Sequence, residues 1–224
     1  MNHDKLKKYL YWDFNTWGVG LQYILSKLPN SKLKALELGA NQGGISVCLV
    51  NEKGFNVVCS DLDNPLERVL TIHPEMKDNT TLSFDAVNGL ENKYADNSFD
   101  VVVFKSVLGY INSKEKQQQF INEIYRVLKP GGYFCFLENA KASALHRFAR
   151  KNFISWGKDW RYITPTEMNE YLSPFKNNEI KTCGFLTAFA KGDALKSAAF
   201  LLDKIVSPLV GRSHRYVVYG IATK

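Results

Sequence analysis

Cysteine is scarce: the 224 residues hold four, Cys48, Cys59, Cys135 and Cys183, and no two of them form a CxxC pair. That spacing gives neither a zinc ribbon nor a disulfide framework, so they read as reduced residues of apolar segments in a cytoplasmic protein. Long hydrophobic runs are lacking too, and none approaches the ~20 residues a bilayer-spanning helix requires. The opening residues, MNHDKLKKYLYWD, are charged and have no apolar h-region, so a secretory signal is not expected. Repeats and low-complexity linkers are missing. With 45% apolar residues, one domain over 1–224 with a full core is expected. Acid falls short of base, 22 Asp and Glu against 29 Lys and Arg, for a net charge of +7. That balance favours anionic partners.

What is present is most informative at Lys34–Gly44, KALELGANQGG. An apolar run reaches Glu37 and breaks into a glycine-rich turn, the profile of a buried strand delivering backbone to a ligand. Ile45–Asn51 reads as helical, so the turn opens onto a helix N-terminus whose unpaired N–H groups favour polar or anionic ligand atoms. A second buried strand, Phe55–Ser60, ends at Asp61, 22 positions after Gly39. An acid there can take both hydroxyls of a ribose. The GxGxxG spacing of nicotinamide sites is not met, because Asn41 stands between Gly39 and Gly44 where the pattern has its middle glycine. Asparagine tolerates positive φ, so the turn itself is preserved.

Strand and helix patterns alternate, which calls for a mostly parallel sheet with helices on both faces, an α/β doubly wound fold. The patterns predict helices near Asp4–Leu28, Gly44–Asn51, Pro65–Ile72, Lys114–Leu128, Lys141–Phe153, Pro165–Leu172 and Asp193–Val206. They predict strands near Leu33–Leu38, Phe55–Ser60, Leu82–Val87, Phe99–Lys105, Gly132–Glu138, Ile180–Phe189 and Arg215–Ala222. Decorations are expected at 1–30, a helical lid, at 139–178, a helical insertion on the acceptor side, and at 190–212, a helical segment before the last strand.

ELGANQGG, VVCSDLD, SFDVVVF and YRVLKPGGYFCFL occur in this order, and together they resemble the class I S-adenosylmethionine-dependent methyltransferases, most of all the small-molecule branch. The resemblance implies a Rossmann-like sheet of seven strands in the order 3-2-1-4-5-7-6 with the last strand antiparallel. It implies S-adenosyl-L-methionine as cofactor and no metal. Carried over residue by residue, Glu37, Gly39, Ala40, Asn41 and Gly43 hold the methionine moiety and the turn, Asp61 takes the ribose, and Leu62 packs on adenine. The adenine-amine partner falls on Asn88, with Asp85 as the alternative. Lys105 opens the segment beside the sulfonium, KSVLGYI, in which this chain has Gly109 and Tyr110 where many relatives carry a histidine.

The acceptor is read from weaker signals. Tyr110 can orient it, and of the four histidines His146 follows the fifth strand, where acceptor-binding insertions of the family lie. His3 lies at the chain end, His73 in a surface turn before Pro74 and His214 in a basic turn. The segment Lys141–Arg161 interleaves cations with Trp156, Trp160 and, just beyond, Tyr162, which suits an acidic, phosphorylated or sugar-containing molecule. A solvated basic helix beside core aromatics explains the same residues. Trp12, Asp13 and Trp17 are candidate lid residues or core anchors. The apolar stripe of Asp193–Leu209 fits packing on its own domain, a homodimer contact or a membrane surface. The leading expectation is methyl transfer to a small or carrier-linked acceptor, at oxygen. A nucleic-acid methyltransferase is the second reading, disfavoured because FKSVLG replaces an NPPY-like tetrad. A non-catalytic binding protein that keeps the fold is the third.

Overall fold

The computed structural model describes residues 1–154, 157 and 159–224. Seven strands form one sheet: β1 Lys34–Leu38, β2 Asn56–Asp61, β3 Leu82–Ala86, β4 Phe99–Lys105, β5 Leu128–Asn139, β6 Lys176–Cys183 and β7 Val217–Thr223. Their order is β3-β2-β1-β4-β5-β7-β6. β1 to β5 run parallel, with Leu36 level with Val58 on one side and Val102 on the other. β7 inserts antiparallel between β5 and β6, pairing Gly220 with Phe136 and Ile180.

Alternation along the central strands sorts their side chains onto two faces. Ala35, Val101 and Val103 enter a core with α1 (His3–Leu10), α2 (Phe14–Lys27) and α3 (Gly44–Lys53). Leu36, Leu38, Val102 and Phe104 enter a second core with α5 (Lys114–Val127) and α7 (Pro165–Tyr171). Because both faces are covered, β4 reads as a continuous apolar run rather than an alternating one. Local signals fix the helix starts. Thr164 and Glu167 form a reciprocal capping box with Pro165 in the first turn of α7. Ser113 and Ser143 cap α5 and α6 (Ala144–Phe153). The remaining helices are α4 (Leu66–Ile72) and α8 (Asp193–Leu209).

Three elements differ from the pattern-based expectation. The single N-terminal helix is broken into α1 and α2, with Tyr11 at φ 64° and Asp13 at φ 46°. The break is held from afar: Tyr11 donates its hydroxyl to the Gln42 carbonyl at 2.9 Å, and the buried Asp13 carboxylate accepts from Tyr216. The Pro-Gly-Gly turn lies inside β5 instead of before it, as a bulge between the pairs Phe99–Leu128 and Val101–Tyr133. β6 ends at Cys183. Beyond it the amides of Phe185, Leu186 and Thr187 turn onto the Asp203 carboxylate of α8, at 3.0, 2.8 and 3.0 Å.

Among the described residues no helix is long and apolar enough to cross a membrane.

Candidate active site

The C-terminal ends of β1, β2 and β4 converge on one cavity of about 820 Å³. Its inner wall is Leu38, Gly39, Asn41, Asp61, Leu62, Val87, Asn88, Ser106 and Val107, and its outer wall includes Tyr110, Ile111, Asn112, Lys116, Asp159 and Trp160. This edge of an open parallel sheet is where ligands bind in α/β folds. The space suits a nucleoside-sized cofactor with room for a second molecule.

Glycine is required at the turn. Gly39 has φ +69°, and a Cβ there would lie 2.5 Å from Val107 Cγ2. Asn41 adopts φ 49° in the same turn. Gly44, at the first position of α3, touches the end of α1, where a Cβ would come within 2.0 Å of the Tyr9 carbonyl oxygen. The N-terminal helix thus lies behind the turn, and none of Trp12, Asp13 and Trp17 lines the cavity.

Asp61 sits at the tip of β2 with its carboxylate already aimed. Oδ2 accepts the Asn41 N–H at 2.8 Å, and Oδ1 accepts the Leu62 N–H at 2.8 Å. Arg68 of α4 lies 3.3 Å from the same Oδ2, forks onto Asp63 at 2.6 and 2.9 Å, and reaches the Asn41 carbonyl at 3.4 Å. A carboxylate oxygen carries two lone pairs, so Oδ1, with one donor, keeps acceptor capacity toward the cavity, and Oδ2 gains it when the long, partly solvent-exposed contact of Arg68 gives way to a ligand hydroxyl. Asn88 lines the wall and accepts the Leu90 N–H at 3.0 Å, whereas Asp85 is turned to Lys93 and Tyr94, at 2.7 and 2.6 Å, and is not in the wall. Exposed Leu62 borders the opening.

The other expected cofactor residues lie beneath this wall. Ala40 and Gly43 form the buried back of the turn. Glu37 is fully buried and accepts from the Ser46 amide at 2.8 Å and the Ser46 hydroxyl at 2.5 Å, fastening β1 to α3. Burial pushes its carboxyl up to about 7, against the pull of those hydrogen bonds and of Lys105. Lys105 places its ammonium 5.8 and 5.7 Å from the rings of Trp12 and Trp17. Burial lowers its pKa, opposed by Glu37 and Glu138.

Two residues that the sequence reading passed over complete the floor. Glu138 is the penultimate residue of β5, and its Oε2 accepts the amides of Val107 at 2.8 Å and Leu108 at 2.7 Å. Burial raises its carboxyl to about 7. Ser106, at φ 60°, lines the cavity and is held by Asn139, which donates to its Oγ at 2.7 Å. An acid closing an apolar strand is the signal that singled out Glu37 in ALEL, and it recurs in FCFLE. Arg68 carried no such signal.

On the acceptor side the structure separates the two expected residues. Tyr110 is exposed in the outer wall. His146 is buried outside the wall, 2.7 Å from the Ser143 hydroxyl through Nδ1 and 2.9 Å from the Phe185 carbonyl through Nε2. A carbonyl only accepts, so Nε2 carries the proton and Nδ1 accepts, leaving no ring nitrogen for an acceptor. Within the basic segment, the Arg150 guanidinium stacks 4.0 Å from the Tyr162 ring and Arg161 pairs with Glu167. Neither forms an open anion clamp. Trp160 stands in the wall, and Trp156 lies outside the described residues. His73, expected in a surface turn, is buried with Nε2 2.7 Å from the Tyr11 hydroxyl.

The His146 environment has a measurable consequence. Burial depresses its pKa from 6.5 to about 4. Between those values the unfolded chain binds a proton that the folded chain refuses, so stability rises with pH across the window and is lost as pH falls through it. The shift corresponds to about 3 kcal/mol. His146→Gln is expected to reduce stability while flattening this part of the urea-denaturation pH profile; an unchanged slope would contradict the assignment.

Comparison with known proteins agrees with this geometry. Residues 36–136 match the methyltransferase-domain family. A thiol S-methyltransferase of Homo sapiens is 30% identical over 207 residues, covering 88% of this chain and 72% of that protein. A phosphoethanolamine N-methyltransferase of Triticum aestivum is 29% identical over 157 residues, covering 68% of this chain and 29% of the relative. The Haemonchus contortus phosphoethanolamine N-methyltransferase 2, solved with phosphomonomethylethanolamine and S-adenosylhomocysteine, superposes with a TM-score of 0.66 at 15% identity. That superposition covers 95% of this chain and 52% of the solved one, so the chain spans about half the nematode protein and less than a third of the wheat one. Turn, acid and cavity fit an adenosyl cofactor, and the chain belongs to the class I S-adenosylmethionine-dependent methyltransferases, with S-adenosylmethionine as its cofactor.

Proposed function

We propose that the protein transfers a methyl group from S-adenosylmethionine to a small or carrier-linked acceptor seated against Tyr110, Trp160 and Lys116. The observation that carries this reading is one cavity whose inner half presents Asp61, Asn41 and Asn88 and whose outer half presents aromatic and charged side chains. When bound, the cofactor supplies an electrophilic methyl group. The chain's part is to orient both molecules for in-line attack and to exclude water. Asp61 holds the ribose diol, Asn88 meets the adenine amine, and the Ser106–Val107 backbone faces the reacting end. Lys116 and the aromatic rings favour an acceptor with an anionic group and a flat or apolar body.

No histidine among the described residues lines the cavity. A thiolate or a neutral amine reacts without losing a proton in the site, so those acceptors fit this wall better than the hydroxyl expected from sequence. A hydroxyl acceptor would need Asp159 as its base. The curated relatives named for thiol and phosphoethanolamine methylation support the same preference. The four free cysteines support a cytoplasmic setting. Incubating the protein with methyl-tritiated cofactor and panels of thiols, amines and hydroxy acids is the test. Label is expected in a thiol or amine. Cofactor binding without label in any small molecule would favour the non-catalytic reading, and label confined to nucleic acid would favour the other.

A further inference from the structure

α8 wears its amphipathicity inside out. Its inward side carries Asp203, buried beneath the turn at 185–187 with both oxygens accepting backbone amides, and the buried Ser207. Those bonds fix the helix's rotation. The opposite side presents Leu195, Ala198, Leu201, Leu202, Ile205 and Leu209 to solvent, an uninterrupted apolar arc of roughly 120° at ~100° per residue. Ile205 is 68% and Leu209 82% exposed. α6 also carries exposed apolar side chains, Leu145, Phe148 and Phe153. The link is the 185–189 turn, whose Phe185 and Phe189 pack on His146 of α6. A surface this large and apolar marks an interaction site.

Its border is cationic. Arg147 and Lys151 of α6 and Lys191 and Lys204 beside and on α8 are exposed, and none forms an ion pair with a carboxylate among the described residues. The acids of α8 are engaged elsewhere, Asp193 with Lys7 at 2.6 Å and Asp203 inside. An apolar face ringed by unpaired cations complements a bilayer whose headgroups are negative. A two-fold dimer through the same face would bring the cations of one copy onto those of the other, with no acid to meet them. Position agrees: β5 ends at Asn139 opposite Val217, where β7 begins, so α6 leaves and α8 arrives at the sheet edge that holds the cavity.

We propose that the α6–α8 face docks onto the surface of an anionic phospholipid bilayer, holding the cavity edge against the headgroups. Leu202, Ile205 and Leu209 enter the acyl boundary while Lys151, Lys191 and Lys204 meet the phosphates. The inference goes beyond methyl transfer, and its test needs no cofactor. The full chain is sedimented with phosphatidylcholine vesicles and with phosphatidylcholine–phosphatidylglycerol vesicles. Strong binding to the mixed vesicles, weakened by salt, is expected. The double variant Leu202→Asp, Ile205→Asp should weaken it at least ~tenfold. Lysine-to-alanine changes at 151, 191 and 204 should each weaken it roughly fivefold on mixed vesicles and leave the neutral ones unaffected. All five positions are exposed, and an unchanged thermal midpoint verifies the fold. Failure to sediment with mixed vesicles overturns the proposal, as does equal binding by the double variant. So does a dimer in sedimentation velocity that the double variant dissociates without any vesicle binding, which would assign the face to a second copy.

Discussion

Glu138→Ala is expected to unfold about 3–5 kcal/mol more easily than the wild type, the scale set by removing one partner from a buried charged cluster. The change strips the amides of Val107 and Leu108 of their acceptor and takes one of two buried carboxylates from the neighbourhood of Lys105. Each orphaned buried amide costs about 1–3 kcal/mol, and Glu138 Oε2 is the acceptor of both. Glu138→Gln keeps an oxygen for Val107 and Leu108 but turns its amide toward Asn139, whose N–H the native Oε1 accepts at 2.7 Å. A smaller loss is expected there. Urea denaturation at neutral pH separates the two. A Glu138→Ala variant within ~1 kcal/mol of the wild type, the range of an ordinary surface change, would contradict the floor described for the cavity.

Asp61→Ala is expected to weaken cofactor binding by roughly a hundredfold or more. Two hydroxyl groups of a ribose donating to one carboxylate are charge-assisted hydrogen bonds worth about 1.5–3 kcal/mol each, and ~3 kcal/mol is about a hundredfold. The native carboxylate also pins the Asn41 and Leu62 amides, so its loss loosens the turn as well as removing the contact. Asp61→Asn keeps one carbonyl oxygen and a donor, and falls between the two. The fold should survive, because Asp61 is half-buried at a strand tip and its ion pair with Arg68 is partly open to solvent.

Much of this architecture can be read in the chain because parallel strands buried on both faces appear as short apolar runs, and the turns after them carry glycine, asparagine and acid. KALEL, NVVCSD and FDVVVFK stand out for that reason, and the order of the seven strands follows from the family resemblance, not from periodicity. What could not be read depends on partners distant in sequence. The break at Tyr11–Asp13 needs Gln42 and Tyr216. His146 looked like an exposed helix residue or an acceptor ligand until Phe185, 39 positions away, filled its second nitrogen. α8 shows the limit most clearly: periodicity identified an apolar stripe, but only the amides at 185–187 decide which side of the helix faces inward. Counting along the chain puts the adenine partner on Asn88 and leaves Asp85 as the alternative. Lys93 and Tyr94 draw Asp85 out of the cavity wall.

Isothermal titration of the intact chain with S-adenosylhomocysteine, wild type beside Asp61→Ala, tests the reading of the cavity as a cofactor site most directly. Saturable one-to-one binding by the wild type, lost or cut by about two orders of magnitude in a variant whose thermal unfolding is preserved, is the result expected from two charge-assisted hydrogen bonds. Equal affinity in both proteins, or no heat from a folded wild type, would contradict it.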